Sequence, residues 1–274
     1  MGDFWASLKG LRLTGTYIRA HHAGGRQTRR AGNSQDVTGH RPYIPGDDMR
    51  HVDWHAYART GHLHMRTHAE QGRHQLTIWL DDSASMGITA AKWKLACQLA
   101  AGCAYIAVQQ GERVCLRTLV TGDVLYEGSS ADKQTCRALE RVLHLSAAGV
   151  AAYTGHIQQR ERETVLVISD FFGCELASLL AAIPAARNDV RIVHVLATAE
   201  MVPPQAGMVR LVDKETGHAQ QVEMTEALRR AYGEKVQHFL QASAEQCRSH
   251  GALYVQATDD EPALALLPRI VGGR

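Results

Sequence analysis

Two segments rich in carboxylates and hydroxyls follow apolar runs of the sequence and could hold a divalent cation. Asp81, Ser83 and Ser85 alternate directly after one apolar run, and Asp170 stands at the end of another. In a turning loop, the alternate spacing lets the three side-chain oxygens converge on one point. Carboxylate and hydroxyl oxygens are hard ligands, which Mg²⁺ or Mn²⁺ prefers. The pattern therefore predicts a metal site that contains all four residues.

Each of these residues also has an ordinary structural interpretation. Asp and Ser after a strand commonly form turns or cap a helix, and any one of them alone would be expected to do so. The complete alternation, together with a second Asp at the end of another apolar run, favours the metal site. Ser169 is expected to support the loop rather than to contact the metal.

The elements that position these residues are short apolar runs separated by helical patterns. Near-continuous Val, Ile and Leu runs are typical of strands buried on both faces of a sheet. The predicted strands are Leu76–Leu80, Val114–Val120, Val165–Ile168, Val190–Leu196 and Ala252–Gln256. Their alternation with helices predicts an α/β fold: a doubly wound, mostly parallel sheet with helices on both faces. In such sheets ligands bind beyond the carboxyl ends of the strands, where Asp81 and Asp170 stand.

Apolar residues at three- and four-residue steps predict the helices between the strands. The predicted helical segments are Trp93–Val108, Ala138–Leu143, Leu176–Ile183 and Leu228–Ser243, and Gly207–Met224 is predicted to form a surface hairpin. A further helix is expected over Phe4–His22. Because the character of the sequence changes near residue 75, the predicted domains are an N-terminal segment, 1–75, and a sheet domain, 76–274, on which that segment packs.

A stretch of the N-terminal segment is dense in proline, aspartate and arginine: Arg41-Pro-Tyr-Ile-Pro-Gly-Asp-Asp-Met-Arg-His-Val-Asp-Trp-His-Ala-Tyr-Ala-Arg59. Its prolines predict an extended course and a tight turn. Its charges of both signs could form bidentate arginine–carboxylate pairs, with Trp54 anchoring the segment against the sheet. Two functions are open for the stretch: a clasp between the two domains, or a surface where a partner docks. Its principal residues are Tyr43, Gly46, Asp47, Arg50, Asp53, Trp54 and Arg59.

Both motifs resemble those of known families. Asp81-x-Ser83-x-Ser85-Met86 resembles the metal-ion-dependent adhesion site of von Willebrand factor type A domains, and Val165–Asp170 resembles their later strand, whose terminal Asp holds a metal-bound water. The upstream stretch resembles the R-x-Y-x-x-G-D-x-x-R-x-I-D-W-x-x-x-A-R signature of the bacterial "domain of unknown function 58" family, which precedes a type A domain. The resemblance extends from about Gly32 to Phe172.

The resemblance implies a further metal ligand in a middle loop, where type A domains carry a Thr. Ser146 and Thr154 are the candidates. Ser146 is favoured because it leaves room for one helix, 147–159, before the strand that ends at Asp170. The resemblance to type A domains also implies a non-enzymatic, divalent-metal-dependent protein-binding module, in which the metal bridges the protein to a carboxylate of its partner.

The resemblance implies the class of the partner as well. Members of the family that this chain resembles are often encoded beside MoxR-type AAA+ ATPases. The expected partner is therefore such an ATPase, and the expected role is chaperone-like assembly or maturation.

The competing hypothesis is a metal-dependent, phosphoesterase-like hydrolase that uses Asp81 as its nucleophile. Haloacid-dehalogenase-like sites need a second Asp two positions later as acid and base, and position 83 is Ser. The G-x-S-x-G, Walker and G-x-G-x-x-G motifs are also absent from the sequence. These observations favour a binding module over an enzyme.

The composition of the 274 residues excludes several other classes. With 30 Lys and Arg against 28 Asp and Glu, the net charge of +2 is too small for binding nucleic acid by bulk charge. No run approaches 18 consecutive apolar residues, so no membrane span is expected. The six cysteines form no C-x-x-C pair, which predicts reduced thiols. Because the start of the chain also lacks the pattern of a signal peptide, a cytoplasmic location is expected.

Overall fold

The computed structural model describes residues 2–14, 37–43, 49, 52–68, 75–145, 163–183, 188–202, 205–213 and 217–272. The strands are β1 (Val37–Pro42), β2 (His64–His68), β3 (Gln75–Leu80), β4 (Arg113–Thr118), β5 (Val124–Gly128), β6 (Glu163–Ser169), β7 (Asp189–Leu196), β8 (Gly207–Val212), β9 (Ala219–Met224) and β10 (Leu253–Thr258). The α-helices are α1 (Gly2–Ser7), α2 (Trp54–Thr60), α3 (Ala90–Gln109), α4 (Lys133–Val142), α5 (Leu176–Ala182), α6 (Thr198–Met201), α7 (Glu226–His250) and α8 (Ala263–Val271).

The six-stranded sheet has the order β10-β7-β6-β3-β4-β5. All neighbouring pairs are parallel except β4 and β5, so the predicted α/β class with a mostly parallel sheet is confirmed. The chain leaves β3 toward β4 on one side and later returns to β6 on the other. The connection after β6 then runs to β7, away from β4, so the loops after β3 and β6 lead to opposite sides of the sheet, which is the kind of position where sheets of this class bind ligands.

Helices cover both faces of this sheet, as predicted. In β3, Leu76, Ile78 and Leu80 belong to the hydrophobic core under α3, α4 and α8, whereas Trp79 belongs to the core under α5 and α7. This division follows from the alternation of side chains along a strand. α3 packs closely on α8, because a Cβ added at Gly102 would lie 2.9 Å from a side-chain carbon of Leu267.

Contacts divide the chain differently from the predicted boundary at residue 75. Residues 19–73 form one compact unit, and residues 1–18 together with 74–274 form the other. The first residues join the larger unit because Trp5, Leu8 and Leu13 are buried in its core. The helix expected over residues 4–22 is shorter than predicted in the described part of the chain, since α1 ends at Ser7 and residues 11–14 are not helical.

The sequence did not predict every element of the structure. β5 was not predicted because it is an edge strand of mixed polarity, and α8 was not predicted although its apolar face is buried. The predicted hairpin over residues 207–224 is confirmed as β8 and β9, which pair antiparallel. The helix expected over residues 147–159 lies outside the described residues. None of the helices in the described parts of the chain is apolar over the length that traversing a bilayer requires.

Candidate divalent-cation site

The loops after β3 and β6 lie side by side at the carboxyl edge of the sheet. Leu80 of β3 is in register with Ile168 of β6, and the Asp81 backbone N–H donates to the carbonyl of Ile168 at 2.9 Å. Asp81 and Asp170, which are 89 positions apart in the sequence, are thereby brought to one place. We refer to Asp81, Ser83, Ser85 and Asp170 together as the strand-end site.

Side-chain oxygens of three residues of the strand-end site form one hydrogen-bonded chain. The hydroxyls of Ser83 and Ser85 are 3.0 Å apart, and the Ser85 hydroxyl donates to Oδ1 of Asp170 at 3.3 Å. Ser85 begins a single 3₁₀ turn, Ser85–Gly87, and is half-buried, whereas Ser83 and Asp170 are buried. Two hydroxyl oxygens and one carboxylate oxygen therefore converge on one place, and Ser85 is the residue among them that is partly exposed to solvent.

Asp81 stabilises the loop after β3 through hydrogen bonds to both of its carboxylate oxygens. Its Oδ1 accepts from the backbone N–H of Ser83 at 2.9 Å, and its Oδ2 accepts from the hydroxyl of Ser169. The predicted supporting role of Ser169 agrees with this geometry. Burial raises the pKa of the Asp81 carboxyl, and the charge of Asp170 raises it further, whereas the hydrogen bonds from Ser169 and Ser83 act in the opposite direction.

A buried ion pair adjoins the strand-end site, and the sequence motifs did not reveal it. The ammonium of Lys92, whose side chain is 0% exposed, lies 2.7 Å from Oδ2 of Asp170 and 2.9 Å from both carboxylate oxygens of Glu200. It also donates to the backbone carbonyl of Ser85 at 3.1 Å. Lys92 stands in the first turn of α3, and Glu200 stands in α6, which follows β7. Loops after three strands of the sheet therefore meet at one ammonium group.

The net charge of the strand-end site and the adjoining ion pair favours binding of a divalent cation. Together they contain three carboxyl groups: those of Asp81 and Asp170, which are buried, and that of Glu200, whose side chain is 9% exposed. Lys92 is the one cation bonded to them among the described residues. With all three ionised, two negative charges remain uncompensated, which is costly in a buried site. A cation of charge +2 with a preference for oxygen ligands matches both the excess charge and the donor set. The residues present therefore fit Mg²⁺ or Mn²⁺.

The backbone after Asp170 has an unusual conformation. Phe171 has a φ of 56° and is the one residue other than glycine in the described ranges with a positive φ. The Ser169 hydroxyl accepts from its backbone N–H at 2.9 Å, and its ring packs edge-on against that of His194 at 5.2 Å. Strained residues of this kind cluster at functional sites, where the surrounding structure holds them. Burial lowers the pKa of His194 to about 4, although the charge of Asp170 acts in the opposite direction, so this ring packs as a neutral group.

An aromatic surface borders the strand-end site. Phe172 is 39% exposed and stacks on Phe239 of α7 with ring centroids 5.6 Å apart. The Lys92 ammonium lies 5.6 Å from the centroid of the Phe172 ring. From the same helix, the hydroxyl of Tyr232 donates to the backbone carbonyl of Glu200 at 2.6 Å. A molecule that reached the strand-end site would therefore meet exposed aromatic surface beside it.

The structure describes only part of the other predicted site residues. The candidate middle-loop ligands Ser146 and Thr154 lie outside the described residues, and so do Gly46, Asp47 and Arg50 of the upstream stretch. Groups of three or more His, Cys, Asp or Glu side chains arranged to hold a metal are absent from the described ranges. The strand-end site is of a different composition, because half of its residues are serines.

The upstream stretch contains both extended and helical structure. Arg41 and Pro42 belong to β1, in agreement with the extended course predicted at the prolines, and Trp54–Thr60 form α2. Asp53 caps α2 by accepting from the backbone N–H groups of His55 and Ala56 at 3.0 and 3.1 Å. Trp54 occupies the first turn of this helix and is 55% exposed. Arg59 is exposed in the last turn, and the backbone N–H of Tyr43 donates to the carbonyl of Leu63 at 3.0 Å.

Comparison with known proteins gives one family. The profile of the family described as "Protein of unknown function DUF58" matches residues 39–241. Two uncharacterised proteins of Mycobacterium tuberculosis and one of Mycobacterium bovis are each 27% identical to the chain over 247 residues, which covers 85% of this chain and 78% of theirs.

Two solved structures are similar to parts of the chain. One is a conserved hypothetical protein, BatB, from Bacteroides thetaiotaomicron, with a TM-score of 0.41 and 12% identity, covering 72% of this chain and 97% of that one. The other is described as an aerotolerance-related membrane protein from Bacteroides fragilis, with a TM-score of 0.39 and 14% identity, covering 72% of this chain and 96% of that one.

Proposed function

The chain belongs to the DUF58 family of proteins of unknown function, and we propose that this member binds a protein partner through a divalent cation at the strand-end site. The observation that carries the proposal is the convergence of the Ser83 and Ser85 hydroxyls with Asp170 beside an excess of buried negative charge. The resemblance of Asp81-x-Ser83-x-Ser85 to the adhesion site of von Willebrand factor type A domains supports the same function.

Each residue of the strand-end site has its own proposed role in binding the cation. Ser83, Ser85 and Asp170 would hold Mg²⁺ or Mn²⁺. The sequence pattern also predicts Asp81 as a ligand, but both of its carboxylate oxygens accept hydrogen bonds from neighbouring residues, so Asp81 would instead keep the loop in shape. Because two of the donors are neutral hydroxyls, the cation would retain attraction for a further anionic ligand. That ligand is a carboxylate of the partner, and the exposed ring of Phe172 would contact the partner beside it.

The proposed partner is a MoxR-type AAA+ ATPase, and the proposed role is assembly or maturation of other proteins. This part of the proposal depends on the family resemblance alone. A cytoplasmic location belongs to it too and is supported by the free thiols of all six cysteines, since disulfides are rare in the cytosol. We propose a binding module rather than a hydrolase, because position 83 carries a serine hydroxyl where a haloacid-dehalogenase-like phosphoesterase would need an acid.

Divalent cations are expected to stabilise the wild-type chain. At about 100 times its dissociation constant, a bound cation adds about 2.7 kcal/mol to the free energy of unfolding, which raises the melting temperature by roughly 5–10 °C in a chain of this size. Asp81→Ala should remove the shift, because Asp81 shapes the loop that carries both serines. Thermal unfolding with Mg²⁺, Mn²⁺ or a chelator measures this, and Asp260→Ala, at an exposed carboxylate, is the control. An identical wild-type melting curve in chelator and in metal would contradict the proposal.

Binding of the partner is expected to depend on the same hydroxyls. With the metal concentration held constant, Ser83→Ala should weaken the affinity for a purified MoxR-type ATPase by about 10–100-fold, the usual effect of disturbing the surroundings of a bound metal. Ser249→Ala, at an exposed hydroxyl near the end of α7, should leave the affinity unchanged. Titration calorimetry measures both values. Equal affinities for the two variants would show that the ATPase does not bind through the strand-end site.

A further inference from the structure

We propose that the ammonium of Lys92 lowers the affinity of the strand-end site for a divalent cation. It does so because it already neutralises part of the negative charge that the cation would neutralise. The inference rests on the proposed function above and extends it by naming the residue that sets the affinity. The ammonium lies 2.7 Å from Asp170, a carboxylate of the site that also accepts a hydrogen bond from the hydroxyl of Ser85. A bound cation and Lys92 would therefore share a ligand.

The position of Lys92 opposes two ordinary preferences of lysine. It lies in the first turn of α3, where the positive end of the helix dipole disfavours a cation. It is also fully buried in a helix whose buried residues are otherwise mostly apolar. Lysine is almost never fully buried unless it is paired. The carboxylates of Asp170 and Glu200 therefore keep it there, and its charge is part of the site.

The ammonium of Lys92 has no hydrogen left for another partner. Its three N–H groups are matched by Asp170, by the two oxygens of Glu200, and by the backbone carbonyl of Ser85. This leaves Oδ1 of Asp170 facing the hydroxyl of Ser85, while Lys92 holds Oδ2. Lys92 thus both orients the carboxylate and neutralises one of the negative charges that would attract a metal ion.

These two effects act on metal binding in opposite directions, and their sizes decide the result. Without Lys92, Asp170 would still be held by the backbone N–H of Phe172, which donates to its Oδ1 at 3.0 Å. The orienting effect of Lys92 is therefore that of one hydrogen bond among several, which has a small net value. Repulsion between an ammonium and a divalent cation a few ångströms away is larger, even with the screening of a protein interior. Removal of the ammonium should therefore tighten metal binding.

The test is a titration of the purified chain with Mn²⁺ alone. Calorimetry measures the heat of binding, and the electron paramagnetic resonance signal measures the concentration of free Mn²⁺. Lys92→Met should bind Mn²⁺ about tenfold more tightly than the wild type or better, as expected for loss of a nearby like charge. Lys92→Gln removes the charge but keeps a hydrogen-bond donor, and it should tighten binding too, which provides a second variant if the methionine variant does not fold. Lys94→Met removes an exposed lysine of the same helix and should leave the affinity unchanged.

The outcomes separate this inference from the proposed function. If the wild type binds Mn²⁺ and the folded Lys92 variants bind it no more tightly, the inference is wrong while the proposed function stands. If the wild type does not bind but the Lys92 variants do, Lys92 has taken the place of the metal: the inference holds and metal dependence of the wild type is wrong. If neither binds although circular dichroism shows both to be folded, both are wrong.

Discussion

Replacement of Lys92 by methionine is expected to lower the free energy of unfolding by about 3–5 kcal/mol in metal-free buffer, the usual cost of removing one partner from a buried ion pair. The methionine side chain fills similar space, so the loss arises from charge. Asp170 and Glu200 would remain buried, at 0% and 9% side-chain exposure, after losing the cation that lies within 3 Å of both. Two like charges would then face each other across the place that the ammonium held.

Urea denaturation of the wild type and of Lys92→Met, in the presence of a chelator, measures this change. Lys94→Met is the matched control, since Lys94 is exposed on the same helix and its loss should change the free energy of unfolding by less than about 0.5 kcal/mol. Equal midpoints for Lys92→Met and Lys94→Met would mean that the Lys92 ion pair contributes nothing to stability. That result would also remove the electrostatic basis for assigning Lys92 to the strand-end site.

Replacement of Arg191 by methionine is expected to be equally destabilising, by about 3–5 kcal/mol, although Arg191 lies in the first half of β7, away from the strand ends that carry the site. Arg191 is 2% exposed in the third position of β7 and pairs with Asp189 at 2.7 Å. Its guanidinium also donates to the backbone carbonyls of Thr14 and Ile270. One side chain thus joins the sheet to the N-terminal residues and to α8, and its loss would deprive three acceptors of this donor.

The same denaturation experiment tests the prediction, with Arg113→Met as the control. Arg113 of β4 pairs with Glu127 of β5, but both side chains are more than 40% exposed, so its removal should cost less than about 1 kcal/mol. Hydrogen exchange should also show faster exchange of the backbone amide of Thr14, which donates to Val271, in Arg191→Met than in Arg113→Met. Similar unfolding midpoints for the two variants would refute the joining role of Arg191.

The sheet and the position of the strand-end site could be predicted from the amino-acid sequence. The apolar runs that became β3, β6 and β7 are almost entirely buried, and a run of that kind can be recognised without tertiary information. Because parallel strands end at one edge, the positions of Asp81 and Asp170 after two such runs were enough to predict that they meet. Local spacing within one loop then placed Ser83 and Ser85 beside them.

The tertiary structure alone decided the electrostatics of the site and the boundaries of the units. In the sequence, Lys92 looks like an ordinary lysine of an amphipathic helix. Its partner Glu200 lies 108 positions away, in a helix of four residues. The two meet because α3 packs across the sheet and places Lys92 beside the loop after β7, and no local pattern reports such a long-range contact. The same reason applies to Trp5, Leu8 and Leu13, whose burial in the larger unit depends on partners far along the chain. Patterns of neighbouring residues determine strands and loops, whereas charge pairing between distant loops is set by packing.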